Sequence, residues 1–161
     1  MFVFENKMEI YAILAQSIKD GNIEILYVST FNDIKHVYKN YNSVDFEYHL
    51  IKTKLNHIYK DGIINESNPE PVNLVSLSPF EQNSNLYIIH LFAKYEELFV
   101  SEPVFLTLDK DKAFEYAKNV KKILPRKVIP IETFVYEIPL DTHYTMTDGL
   151  MNNMLIVGFK N

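Results

Sequence analysis

The sequence predicts an α+β fold: two tandem β-β-α-β units packed into one pseudo-symmetric body with a largely antiparallel sheet. Three observations predict it. The same order of apolar segments occurs twice along the chain. Within each occurrence the apolar period changes from about two to about 3.6 and back to two. The length of 161 residues suits one compact body or two small lobes sharing a core.

The elements follow in order. Glu9-Ile-Tyr-Ala-Ile-Leu14 aligns with Asn85-Leu-Tyr-Ile-Ile-His90 at an offset of 76, so that Tyr11 matches Tyr87. Tyr27-Val-Ser-Thr30 aligns with Phe105-Leu-Thr-Leu108 at an offset of 78. The first hairpin is expected over Glu9 to Gln16 and Ile23 to Ser29, turning at Lys19-Asp-Gly-Asn22, whose Asp-Gly pair favours a tight turn. The second is expected over Leu86 to Ala93 and Pro103 to Thr107, across a loop from Lys94 to Glu102.

Polar residues then mark helix starts, Thr30 or Asn32 in one copy and Thr107 or Asp109 in the other. Ile34, Val37, Tyr38 and Tyr41 form one apolar stripe, and Ala113, Ala117, Val120 and Leu124 form the other, stopped by Pro125. Alternating segments close the copies, Phe46-Glu-Tyr-His-Leu50 and Phe134-Val-Tyr-Glu-Ile138, at an offset of 88. The expected division is a first unit over 1–60, a connector over 61–84 and a second unit over 85–161 ending in a further strand near Asn153 to Phe159. Val72 to Leu77 is a candidate short strand within the connector. A three-stranded sheet with one helix is marginal alone, so the units should pack together, with helices on one face of a continuous or face-to-face sheet.

Composition removes several classes of chemistry. With no cysteine, there is no disulfide framework, thiolate zinc site, iron–sulfur cluster or cysteine nucleophile. The four glycines, Gly21, Gly62, Gly149 and Gly158, are too far apart to build a phosphate-cradling loop. Arg126 is the lone arginine among sixteen basic residues, which leaves little material for bidentate phosphate or guanine recognition. A net charge of −5 also disfavours nucleic acid as a partner. No apolar window approaches the roughly 18 residues needed to span a bilayer, and the first residues lack the pattern of a secretory signal, so a cytoplasmic protein without a membrane partner is expected. The excess of Lys, Asn, Ile and Tyr suggests an AT-rich genome: a low-GC bacterium, a phage or another virus.

Candidate polar groups each have a structural alternative. None of His36, His49, His57, His90 and His143 has a partner at helical metal-ligand spacing, so no metal site and no cofactor are assigned. His49 should lie on the face opposite Tyr48, toward solvent. Asp109-Lys-Asp111 resembles an Asp-x-Asp metal pair, but its place at a helix start is explained by capping. Glu96-Glu97 reads as a solvated turn. Asp141, His143 and Tyr144 form the most concentrated polar cluster and a candidate binding site. Lys121, Lys122 and Arg126, with Lys118 and Lys127, form a basic cluster that suits a helix C-terminus and could meet an acidic partner.

Leu86-Tyr-Ile-Ile-His90, Phe105 to Ala117 and Phe134-Val-Tyr-Glu-Ile138, with an echo over Glu9 to Leu50, resemble small uncharacterised bacterial and phage β-β-α-β domains. That resemblance implies a fold and no activity. Ala113 to Ala117 and Val135 to Ile138 are also similar to ADP-ribosyltransferase-like folds. This second similarity implies a nucleotide-like ligand; the family's opening Arg or His strand motif and late glutamate are not placed on this sequence, so no catalytic residue is carried over.

The function expected is therefore non-enzymatic: a binding or regulatory protein, such as a phage or bacterial accessory factor, acting by contact with another protein. One alternative is a small enzyme or binder acting on a nucleotide-like ligand, for which Tyr87, His90, Glu137 and His143 are the first residues to test. The other is a structural homo-oligomer joined through edge strands.

Overall fold

The computed structural model describes residues 9–31, 34–69, 85–139 and 155–160. The fold is mixed and sheet-rich, with two antiparallel four-stranded sheets. Its elements are β1 (Glu9–Ser17), β2 (Ile23–Ser29), α1 (Ile34–Tyr38), β3 (Phe46–Lys54), the two-residue β4 (Asn68–Pro69), β5 (Asn85–Tyr95), β6 (Leu98–Thr107), α2 (Lys110–Lys118), α3 (Val120–Ile123), β7 (Val128–Pro139) and β8 (Leu155–Lys160). The first sheet has the order β2-β1-β3-β4 and the second β6-β5-β7-β8.

Alternation along the strands explains how the sheets meet. Ile10, Ala12 and Leu14 of β1 face Leu86 and Ile88 of β5 in one buried cluster, together with Ile51, Leu106, Tyr136 and Ile138. The intervening residues point the other way. Tyr11, Ile13, Tyr27 and Leu50 pack under Ile34, Val37 and Tyr38 of α1 and Tyr41 just after it. Ile89, Leu91, Phe105 and Val135 pack under Ala113, Ala117, Val120 and Leu124 of the α2–α3 segment. Central strands covered on both faces read as unbroken apolar runs, as β1 and β5 do. The sheets are thus separate and face to face, and the helices occupy both outer faces, not one.

Register corrects three expectations. Lys94 to Glu102 is largely strand: Tyr95 pairs with Leu98, leaving Glu96 and Glu97 as a two-residue turn with Glu96 at φ 55°. The ladder continues through Ala93–Val100 and Lys94–Phe99 to the turn. Second, Ile13 pairs with Leu50 and Ile89 with Val135, which equates the closing strands at an offset of 85, not 88. A shift of three residues in a strand moves side chains to the opposite face, so the sequence alignment had matched helix-facing Leu50 with Ile138 of the inter-sheet core. Third, His49 does not face open solvent. It lies half-buried on the inter-sheet side and bonds Gln16 Oε1 through Nε2 at 3.1 Å.

The local signals at the element ends act as read. Gly21 adopts φ 75° in the β1–β2 turn, where Asp20 also accepts from the Asn22 N–H. The Asp109 carboxylate accepts from Lys112 N at the start of α2. α3 stops at Ile123, just before Leu124 and Pro125.

The last residues of the expected first unit and the first of the expected connector pack against the core through Leu55, Tyr59 and Ile63. The Tyr59 hydroxyl is tied to Thr53 and to the Lys54 backbone, and Ser67 donates to Thr53 Oγ1. Asn56 N donates to Leu106 O at 2.7 Å and Tyr59 N to Val104 O at 2.9 Å, covering the free edge of β6. At the other end of β6, Ser101 N donates to Asn22 Oδ1. Val72 to Leu77 lies outside the described residues.

Candidate functional site

Strand pairing separates the residues named for catalysis. Tyr87 and Glu137 are direct cross-strand neighbours. The Tyr87 hydroxyl donates to Glu137 Oε1 at 3.2 Å, and Asn85 Nδ2 donates to the same oxygen at 2.7 Å. Burial first, then the Glu137 charge, pushes the Tyr87 phenol up, so it stays protonated and serves as a donor. His90 is three residues from Tyr87 and points to the opposite face of the sheet.

There His90 is 4% exposed. Its Nε2 bonds Ser101 Oγ at 2.6 Å, its ring meets Tyr136 edge-on, and Nδ1 is buried without a hydrogen-bond partner. Burial lowers its pKa to about 4, leaving a neutral imidazole at pH 7. The imidazole is closed off from solvent on the inter-sheet face of β5. His143, Asp141 and Tyr144 lie outside the described residues. Lys121, Lys122 and Arg126 are exposed on and just after α3. Among the described residues no group of three or more His, Asp or Glu is placed to hold a metal ion, and no helix is long and apolar enough to cross a membrane.

Two features emerge, the first of them a cleft for which no site residue but Lys127 had been named, the second at a hairpin turn that the sequence marks as a place for function. The first is a cleft of about 280 Å³ on the outer face of the second sheet. It opens between the 59–61 segment, β6 and the turn after α3, with walls of Leu91, Val100, Val104, Leu124 and Val128. Glu102 projects into it, and burial raises the pKa of its carboxyl. Lys60, Asp61 and Lys127 stand at its mouth, with Lys127 Nζ 5.3 Å from the centre of the Tyr95 ring. A sequence signal existed: Glu102 interrupts the apolar alternation of Val100 and Val104, and a lone charge on an apolar face marks a site.

The second feature is the far end of the β5–β6 hairpin. Phe92, Lys94, Phe99 and Ile129 share the face of β5 that, farther along, forms the inter-sheet core. Phe92 and Phe99 stack with centroids 5.9 Å apart, yet Phe99 is 57% and Ile129 55% exposed. Leu98, at the turn, is 66% exposed. No family model, curated protein or solved structure matches this chain.

Proposed function

We propose that the protein is a non-enzymatic binding protein acting by protein–protein contact, built as a tandem duplication of a β-β-α-β unit within an α+β body. The exposed apolar end of the β5–β6 hairpin carries the contact reading. Leu98, Phe99 and Ile129 are large exposed side chains on paired strands, so a partner that covers them need not order their backbone. Lys94 Nζ, 6.0 Å from the centre of the Phe99 ring, adds a cation suited to a partner carboxylate beside an apolar anchor.

Two local irregularities support the duplication. Leu26 is an extra residue in β2 opposite Ile13/Leu14, and Val104 is an extra residue in β6 opposite Ile89/His90. Each second strand ends in a buried hydroxyl that accepts the N–H two residues on: Ser29 from Phe31 and Thr107 from Asp109. A sheet of this order requires neither feature, so their recurrence at the offset of 78 favours common descent of the two halves.

Paired affinity capture from the native host tests the contact reading, with wild type and a Phe99→Asp/Ile129→Asp variant as baits. The variant should keep its circular dichroism spectrum and lose a partner that the wild type retains. Equal capture by both, or no specific capture by either, would overturn the proposal. Sedimentation of the wild type above one 18.9 kDa chain, reversed in the variant, would identify the partner as a second copy.

A further inference from the structure

The cleft beside β6 contains opposite charges that do not pair with each other. The ion pairs among the described residues join Lys52 to Glu9 and His57 to Glu66, so neither Lys60 nor Lys127 closes onto Glu102. A half-buried carboxylate without a cationic partner among the described residues is costly in the empty protein, and a bound cation or strong donor would offset that cost. At the mouth Lys60 and Lys127 outnumber Asp61 and favour an anion. Between these two demands the wall is aliphatic: Leu91, Val100, Val104, Leu124 and Val128.

Aromatic stacking fits poorly. Lys127 covers a face of Tyr95, and Tyr59 is 1% exposed with its hydroxyl engaged by Thr53 and Lys54. A nucleobase would find no open ring to lie on. The volume of about 280 Å³ is below that of most drug-sized sites and matches a compact molecule.

The geometry points to a binding site for a small zwitterion with an aliphatic body, the chemistry of an aliphatic α-amino acid. Its ammonium meets Glu102, its carboxylate meets Lys60 and Lys127, and its side chain packs on the aliphatic wall. This site is independent of the hairpin surface and lies on the opposite face of the same sheet.

Isothermal titration of the full chain with L-leucine tests it. Saturable binding is expected, with a dissociation constant of roughly 0.1–1 mM for so small a ligand. The probes 4-methylpentanoate, which lacks the ammonium, 3-methylbutylamine, which lacks the carboxylate, and glycine, which lacks the apolar body, should each bind at least about tenfold more weakly. Glu102→Gln should weaken L-leucine binding by at least about tenfold. Val100→Phe, which fills the cleft without changing charge, should also weaken it while the protein stays folded by circular dichroism. No saturable binding of L-leucine by wild type, equal binding of 4-methylpentanoate, or undiminished binding by both folded variants would overturn the assignment.

Discussion

His90 bears most directly on acid stability. Its pKa falls to about 4 in the folded protein, from an ordinary value near 6.5, because protonation would place a charge between the sheets. The unfolded chain therefore takes up the proton first as pH falls. Stability should decline from about pH 6.5 to about pH 4, and the gap corresponds to about 3 kcal/mol. Denaturant titrations at pH 7, 5 and 4 check this, and His90→Leu should remove the decline. Glu24 and Glu102 act with the opposite sign. Burial raises both, so their folded forms hold protons more tightly and their ionisation weakens the fold as pH rises above about 4.5. Glu102→Gln should accordingly raise the melting temperature at pH 7, by roughly 2–4 °C for each kcal/mol recovered. The separation of His90 from Tyr87 was legible in the sequence, since residues three apart on a strand face opposite ways. The burial of His90 was not, because it depends on the first sheet closing over that face.

At the scale of elements, short polar contacts fix where strands and helices begin. Asp109→Ala removes the acceptor that satisfies Lys112 N and should cost about 1 kcal/mol, measurable by urea denaturation. The segment after β3 depends on the Tyr59 hydroxyl, which joins Thr53 and the Lys54 backbone beneath it. Tyr59→Phe should cost about 1–3 kcal/mol, with faster amide exchange at Asn56 and Tyr59, whose N–H groups cover the β6 edge. The Asp109 cap and the apolar stripes were readable because they depend on neighbours within one turn. The order in 55–67 was not readable, because its backbone bonds go to β6, about fifty residues away. Composition divided it between the end of the first unit and an Asn- and Ser-rich connector from 61, but tertiary hydrogen bonds made Asn56 and Tyr59 the edge cover and 59–61 one wall of the cleft.

For the whole molecule, the inter-sheet core sets the unit of folding. Leu86, Ile88, Leu106, Tyr136 and Ile138 are buried by residues of the first sheet. A fragment of residues 85–161 would expose this face, so it should aggregate or melt without cooperativity in calorimetry, whereas the full chain should give one transition. Leu106→Ala, at the shared core, should destabilise the full chain by about 2–5 kcal/mol.

The sequence by itself determined most of the strands, the helical stripes, the first turn and the Asp109 cap, all of which follow from local periodicity and side-chain chemistry. It also excluded thiolate chemistry and glycine-rich phosphate loops through composition alone. Tertiary structure decided what these elements cover: two sheets facing each other, helices on both outer faces, a sealed His90 and an unpaired Glu102 at a cleft. Alternation assigns side chains to two faces without saying which face another sheet will bury, and only packing between distant segments resolves that choice.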